Sequence, residues 1–331
     1  MDRNFTPEKA LSKFQEILKK EFSRRGFVKA LFFAALALLS RSFFPKRVFA
    51  LPRETAGRAG KRIKAAHDLA VVKGKDPYTN TEKAVNALGG MGLFVKPGDV
   101  VVVKPNIAWD RTPQQAANTD PGVVAALVSM CYAAGAKKVK VFDITCNNEQ
   151  RCYSNSGIAE AARNKGASVF FADSWNIVKA RFPYPSQMEG WPIVRDAVEC
   201  DVFINVPVLK HHGLTGLTLS MKNLMGVCAG TRGLIHINIG RKLVDLTDYI
   251  SPDLTVIDAS RVLVRHGPSG GSLEDVVAMD TVIAGTDPVL ADTYACTLVD
   301  RDPMSVPYIK EAVSRKFGST DIAGADILKT G

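Results

Sequence analysis

The stretch that decides the fold is VVVVKPN at residues 100–106, which begins as an unbroken run of valines. A strand that is apolar at every position is buried on both faces, as in a parallel sheet covered by helices. The next element is predicted to be a helix, because Asp120-Pro121 reads as an N-cap followed by proline at the first helical position and Gly135 ends the segment. The run at 139–144 then predicts the neighbouring strand.

The same alternation of strand and helix continues along the chain. Further strands are predicted at 70–72, 169–171, 202–208, 254–257 and 277–283, and further helices at 81–88, 157–165, 217–224, 243–250, 288–299 and 308–317. Residues 174–195, rich in tryptophan and proline, predict an excursion from the core. We therefore predict an α/β fold with a mostly parallel central sheet, helices on both faces and irregular excursions, in a single domain over residues 51–331.

The positive charge of the chain is concentrated at its N-terminus. The whole sequence has 43 Lys and Arg against 33 Asp and Glu, for a net charge of +10. Residues 1–50 hold 11 basic and 4 acidic residues, which leaves 32 and 29 for residues 51–331. A nearly balanced main domain lacks the basic surface that nucleic-acid binding requires, so no nucleic-acid partner is expected.

Residues 1–50 have the layout of an export signal. The pair Arg24 and Arg25 precedes an apolar run at 30–39, which is too short to span a bilayer, and small residues at 48 and 50 suit a cleavage site. The pattern resembles a twin-arginine signal peptide, and the alternative is a short amphipathic N-terminal helix. We expect the twin-arginine export machinery as a partner and a periplasmic location, or one on the outer face of the cytoplasmic membrane.

Polar residues follow several predicted strands. In open α/β sheets, ligands bind beyond the carboxyl ends of the strands, so these residues are expected to converge. Lysines there would repel one another unless an anion or carboxylates lay between them, asparagines would orient a bound anion, and glycines would admit backbone N–H groups. The predicted binding residues for a small anionic ligand or cofactor are Lys104, Asn106, Lys210, Lys222, Asn223, Gly267 and Gly270.

Two histidines are the predicted acid–base catalysts. His212 follows the strand predicted at 202–208, and His236 lies within the apolar run at 234–237. Histidine titrates near neutral pH and therefore suits proton transfer. The alternative for His236 is a hydrogen-bonded core residue.

The cysteines suggest a second kind of site. Cys146 and Cys152 lie in a polar loop after a predicted strand, Cys228 could join them, and Asp143 is a further candidate ligand. An iron–sulfur cluster or a divalent metal would use such ligands, whereas a disulfide or an inert thiol would also explain the loop pair. No Cys-x-x-Cys pair occurs, so ferredoxin and zinc-ribbon spacings are absent.

Four segments resemble a known family, the domain of unknown function 362. They are KPNIAW at 104–109, NVPVLKHHGLTGLTLSMKNLMG at 205–226, IDASRVLVRHGPSGG at 257–271 and AGTDPVLAD at 284–292. The resemblance covers roughly residues 68–300 and implies a fold and a redox setting, without naming a reaction. Its pattern matches Lys104, Pro105, Asn106, Lys210, His212, Lys222, Asn223, Gly226, Gly267, Pro268, Gly270 and Asp287.

Three functions follow from these observations. The first hypothesis is an exported protein that binds a cofactor or anion and is an enzyme of redox or isomerase type. The second is an iron–sulfur or mononuclear metal protein that transfers electrons to a redox partner protein. The third is a non-catalytic solute-binding protein, which would be expected to have two symmetric lobes.

Overall fold

The computed structural model describes residues 53–60, 63–172 and 176–331. The predicted export signal at 1–50 lies outside these residues. Within the described ranges, none of the helices has the length and apolar character needed to cross a bilayer.

The strands form one large sheet and one small sheet. They are β1 Glu54–Ala56, β2 Leu69–Lys73, β3 Val100–Pro105, β4 Lys138–Val141, β5 Ser168–Val169, β6 Ile177–Arg181, β7 Pro192–Val194, β8 Val202–Val206, β9 Val208–His212, β10 Gly216–Thr218, β11 Leu254–Leu263, β12 Val276–Gly285 and β13 Ile327–Thr330.

The helices range from single turns to more than three turns. They are α1 Pro77–Ala87, α2 Pro121–Ala133, α3 Glu149–Asn155, α4 Ile158–Asn164, α5 Asp196–Glu199, α6 Ser220–Asn223, α7 Ile239–Ile250, α8 Pro288–Thr297 and α9 Pro307–Ser314. The predicted N-caps are confirmed, because Asp120 accepts a hydrogen bond from Gly122 N in the first turn of α2, and Asp287 accepts from Val289 N and Leu290 N in α8.

The large sheet has the order β13-β2-β12-β11-β8-β3-β4-β5, and β9 pairs with β11 and β10 beside this path. The pairs β3–β4, β3–β8, β4–β5, β8–β11, β9–β11 and β2–β13 are parallel. Strand β12 runs antiparallel to both of its neighbours. The predicted mostly parallel α/β fold is confirmed.

Helices cover both faces of this sheet. Successive side chains of a strand point to opposite faces, so Val102 of β3 packs in one hydrophobic cluster while Val101 and Val103 pack in the other. Helices α7, α8 and α9 contribute to the first cluster, and α1, α2 and α4 contribute to the second. Burial on both faces explains the unbroken apolar run that predicted this strand.

Some predicted boundaries are wrong for local reasons. The run at 202–208 is split into β8 and β9 at Pro207, which has no N–H to donate to a sheet ladder. The helix predicted at 217–224 begins as strand β10, because Leu217 and Thr218 pair with β9 in a tight hairpin. The excursion at 174–195 contains β6 and β7, which pair in a separate small sheet with β1.

Candidate functional site

A cavity of about 630 Å³ lies beyond the carboxyl ends of β3, β4 and β9. This is the edge at which open α/β sheets bind ligands. We call it the lysine cavity, because Lys104, Lys210 and Lys222 all line it. The other predicted site residues on its wall are Asn106, Asp143, Cys146, His212, Asn223, His236 and Gly267.

Lys104 forms a buried ion pair with Asp143. The two side chains are 0% and 2% exposed, and Lys104 Nζ lies 2.8 Å from Asp143 Oδ1. The backbone N–H of Ile107 donates to the other carboxylate oxygen at 2.6 Å. Burial lowers the pKa of Lys104, and the neighbouring carboxylate opposes that shift. The charge of this lysine is therefore largely neutralised within the protein.

Gly226 makes room for this ion pair. A Cβ atom at this position would lie 1.7 Å from Asp143 Oδ1 and 2.5 Å from Lys104 Nζ. The absence of a side chain at residue 226 is thus a requirement of the site.

Two asparagines connect the lysines. Asn223 Oδ1 accepts from Lys104 Nζ at 3.2 Å and from Asn106 Nδ2 at 3.1 Å. Asn106 Oδ1 in turn accepts from Lys210 Nζ at 3.3 Å. Asn205, which pairs with Lys104 across β3 and β8, accepts from Asn223 Nδ2 at 2.9 Å. The network links Lys104 and Lys210 through hydrogen bonds of the asparagine side chains.

Lys210 and Lys222 differ from Lys104, because neither contacts a carboxylate within the described residues. Lys210 donates to Asn106 Oδ1 and to the carbonyl of Ala117. In the part of the chain that the structure describes, Lys222 has one polar contact, the Met225 sulfur at 3.5 Å, although the residue is only 7% exposed. Burial lowers the pKa of Lys210 to about 7 and that of Lys222 to about 8. Both groups would be stabilised by an anion in the cavity.

The short helix that carries Lys222 and Asn223 is held by a buried carboxylate. Asp292 of α8 accepts from the backbone N–H groups of Ser220, at 2.7 Å, and Met221, at 3.1 Å. Burial raises the pKa of Asp292 to about 7. This residue satisfies donors that the first turn of α6 would otherwise leave unpaired.

The two predicted catalytic histidines stack on each other. Their ring centroids are 5.8 Å apart and the ring planes are inclined by 21°. His212 Nδ1 accepts from Leu214 N at 3.1 Å, so its proton resides on Nε2. His236 Nδ1 lies 3.3 Å from the carbonyl oxygen of Gly233 and donates to it, so its Nε2 is the unprotonated nitrogen.

Both rings are neutral at physiological pH. Burial lowers the pKa of His212 to about 3, and the nearby Lys222 adds to this shift. Burial and then Lys222 also lower the pKa of His236. One ring therefore presents a donor at Nε2 and the other an acceptor.

Arg232 is a cavity residue that the pattern of polar residues after strands does not predict. It lines the cavity and donates from Nη1 to the carbonyl of Ile144 at 2.7 Å and from Nη2 to that of Thr145. Arg232 belongs to a 3₁₀ segment, Arg232–His236, that follows no strand of the large sheet directly. Nothing in its sequence position marks it as a site residue. Trp109 also lines the cavity, directly after the KPN turn.

The structure places the predicted cysteine ligands apart from one another. All six cysteines are free, and only Cys146 is exposed. Cys152 packs in one hydrophobic cluster and Cys228 in the other. Burial raises the pKa of the Cys228 thiol to about 12 and also raises that of Cys152.

The four predicted ligands are therefore divided. Asp143 and Cys146 line the cavity, whereas Cys152 and Cys228 do not. Within the described ranges, no group of three or more His, Cys, Asp or Glu side chains is placed to hold a metal. Cys152 and Cys228 pack among apolar side chains instead of facing the cavity. Burial keeps their thiols protonated, and a metal binds the thiolate, so both are poor metal ligands.

The two predicted glycines have different positions. Gly267 lines the cavity, and a Cβ there would lie 1.9 Å from the carbonyl oxygen of His211. Gly270 is outside the lining, and its carbonyl accepts from Arg111 Nη2 at 3.3 Å. Gly267 is thus part of the cavity wall, whereas the Gly270 carbonyl connects the loop after β11 to Arg111.

The sequence matches a family profile and is similar to a named relative. Residues 101–297 match the profile described as "Domain of unknown function (DUF362)". The thylakoid-associated protein sll1697 of Synechocystis sp. is 30% identical over 232 residues, which cover 66% of this chain and 69% of that relative.

Two solved structures are more distant. The lactate racemase apoprotein from Thermoanaerobacterium thermosaccharolyticum is 14% identical, with a TM-score of 0.45, and the match covers 73% of this chain and 61% of that chain. A protein from Thermotoga maritima is 13% identical, with a TM-score of 0.37, and the match covers 69% and 60%. The chain therefore spans about three fifths of the length of each of these structures.

Proposed function

The chain belongs to the DUF362 family, and we propose that it is an enzyme of isomerase type that moves a proton on an anion bound in the lysine cavity. The observation that carries this proposal is the stacked histidine pair with opposite protonation. His236 offers an unprotonated Nε2, and His212 offers an Nε2–H, on the wall of one cavity. A base and a neutral hydrogen-bond donor are the two groups that proton transfer next to a carbonyl requires.

The cations of the cavity supply the binding energy for the anion. Lys210, Lys222 and Arg232 line the cavity without contacting a carboxylate among the described residues. Asp143 is the one acidic residue of the lining among the residues that the structure describes, and Lys104 already pairs with it. A carboxylate is the chemical class that we assign to the ligand, because it offers two acceptor oxygens to these donors.

The proposed step uses only groups of this chain. His236 Nε2 takes a proton from the carbon beside the carboxylate or an adjacent carbonyl, and the electron pair of the broken C–H bond moves onto the carbonyl oxygen. His212 Nε2–H and the Lys222 ammonium stabilise the negative charge that develops there. His236 then returns the proton to a neighbouring carbon, so that the product is an isomer of the substrate, whereas return to the same carbon regenerates the substrate and is seen only as isotope exchange.

Deuterium exchange tests the proposal directly. The full chain is incubated in D₂O with a panel of 2-hydroxy, 2-oxo and 2-amino carboxylates, and proton NMR follows the loss of each C–H signal. We expect exchange with at least one class, and His236→Gln should slow it by about 10²-fold or more.

The matched control is His67→Gln. His67 pairs with Asp326 and does not line the cavity, so the same substitution there should leave exchange unchanged. Equal exchange rates for the wild type and His236→Gln would contradict the proposed role of His236.

We also propose that residues 1–50 direct the folded protein to the twin-arginine machinery, so that it acts in the periplasm or on the outer face of the cytoplasmic membrane. The arginine pair, the short apolar run and the small residues at 48 and 50 support this. Changing Arg24 and Arg25 together to lysine should retain the protein in the cytoplasm, since an ammonium group lacks guanidinium geometry. The matched control changes Arg3 and Arg41 to lysine, and normal export of the Arg24 and Arg25 variant would refute the proposal.

A further inference from the structure

Large exposed apolar side chains gather around the lysine cavity. Seven such side chains occur in the described residues, and three of them lie on the two segments that border this cavity. Leu214 is 74% exposed and lines the cavity itself. Leu234 and Ile237 are 51% and 60% exposed and flank the lining residues Gly233 and His236. Exposed apolar side chains at the edge of a pocket are available to contact a ligand or another surface.

The cavity changes in polarity from its interior to its opening. Its lysines are deeply buried, with Lys104 and Lys210 at most 1% exposed. Its apolar lining includes Trp109, Met225 and Leu214, of which Leu214 is the most exposed. A ligand that fits this gradient has its charge in the interior and its apolar part towards solvent.

The volume also exceeds the needs of a small anion. A water molecule occupies about 30 Å³ of liquid, so a cavity of about 630 Å³ is far larger than a carboxylate group with one or two carbons. Cavities of this size enclose ligands with many more atoms.

We infer that the ligand of the lysine cavity is an amphiphilic carboxylate, whose head lies among Lys210 and Lys222 and whose apolar body contacts Trp109, Met225 and Leu214. This inference rests on the proposed function and narrows its substrate class. Leu214, at the opening, then extends the apolar contact that Trp109 and Met225 make with the ligand inside the cavity. The alternative is that the exposed apolar side chains contact a membrane, and the experiment below distinguishes ligand binding from membrane binding.

The test is a chain-length series. Isothermal titration calorimetry measures the binding of straight-chain carboxylates, from acetate to octanoate, to the full chain in a buffer without other carboxylates or phosphate. We expect the affinity to rise by up to about fourfold for each added methylene, which corresponds to about 0.8 kcal/mol. The rise should continue until the apolar body reaches the opening.

Substitutions at the opening locate the contact. Leu214→Ser should flatten the gain for the longer chains, whereas Leu214→Met should preserve that gain. The matched control is Leu273→Ser, since Leu273 is 60% exposed and does not line the cavity. Leu214 is mostly exposed, so the serine variant is expected to fold, and circular dichroism checks this.

The binding results distinguish failure of the amphiphile inference from failure of the proposed function. Affinity that is independent of chain length, with acetate still bound, overturns the amphiphile inference and leaves the anion site standing. Failure of every carboxylate to bind overturns the proposed function instead. Loss of binding to vesicles of phosphatidylglycerol in Leu214→Ser, with an unchanged chain-length gain, would assign the apolar surface to a membrane and overturn the inference.

Discussion

Replacing Lys222 by methionine should increase the stability of this protein, whereas the same substitution at Lys104 should decrease it. Both lysines are buried beside the same cavity, but Lys104 has Asp143 as its partner, whereas the polar contact of Lys222 among residues 53–60, 63–172 and 176–331 is a methionine sulfur. Methionine resembles lysine in length and flexibility without carrying charge. An increase in stability on Lys→Met substitution therefore indicates an unpaired lysine charge, and a decrease indicates a paired one.

The magnitude follows from the pKa of Lys222. Burial lowers it from the usual value of 10.5 to about 8. One pKa unit corresponds to 1.36 kcal/mol, so the charged form of Lys222 destabilises the folded state by about 3 kcal/mol at pH 7. Lys222→Met removes this cost. Lys104→Met instead strands a buried carboxylate, and the loss of one partner of a buried pair typically costs about 3–5 kcal/mol.

The pH dependence supplies a second check. Because the pKa of Lys222 is lower in the folded state than in the unfolded state, the cost is fully present below about pH 8 and disappears as the pH rises towards 10.5. The stability difference between Lys222→Met and the wild type should therefore narrow between pH 8 and pH 10.

Urea titration of the full chain measures both variants. The buffer must contain no carboxylate or phosphate, because a bound anion would stabilise the wild type and obscure the comparison. An unchanged slope with urea concentration shows that only stability has changed. The reasoning is refuted if Lys222→Met is less stable than the wild type by more than ~1 kcal/mol, or if the difference is the same at pH 8 and pH 10.

Three further predictions use the same site. Gly226→Ala should lower the free energy of unfolding by roughly 3–5 kcal/mol, because its Cβ displaces the Asp143 carboxylate from its ion pair. Gly92→Ala, where a Cβ meets no atom within 4 Å, should change it by less than about 1 kcal/mol, and equal effects in urea titrations would contradict the argument. The affinity for acetate, measured by calorimetry, should fall from pH 6 to pH 9, since the two lysines without a carboxylate contact have pKa values of about 7 and about 8; a constant affinity would show that they do not bind the anion. One thiol of the native protein should react rapidly with a thiol reagent, because Cys146 is exposed and the other five cysteines are buried, and Cys146→Ser should remove that reaction; rapid labelling of a second thiol would contradict the described burial.

The sequence by itself determined the fold class and most of the strands that build the site. The valine run at 100–103 requires burial on both faces, and the Asp-Pro pairs at 120–121 and 287–288 set helix starts, because these effects depend on neighbouring residues alone. The rule that ligands bind beyond the carboxyl ends of strands then indicated where Lys104 and Lys210 would lie.

Tertiary structure alone decided the chemical state of each site residue. Lys104, Lys210 and Lys222 look alike in sequence, yet within the described ranges only Lys104 has a carboxylate partner, because Asp143 lies just beyond the end of the neighbouring strand β4. Cys146 and Cys152 are close in the sequence and share one predicted loop, but Cys146 faces the cavity from the loop after β4, whereas Cys152 lies in helix α3 and packs in the core. The opposite protonation of His212 and His236 depends on backbone groups of two separate segments. Burial and pairing arise from contacts between residues that are distant in the chain, and no local pattern records those contacts.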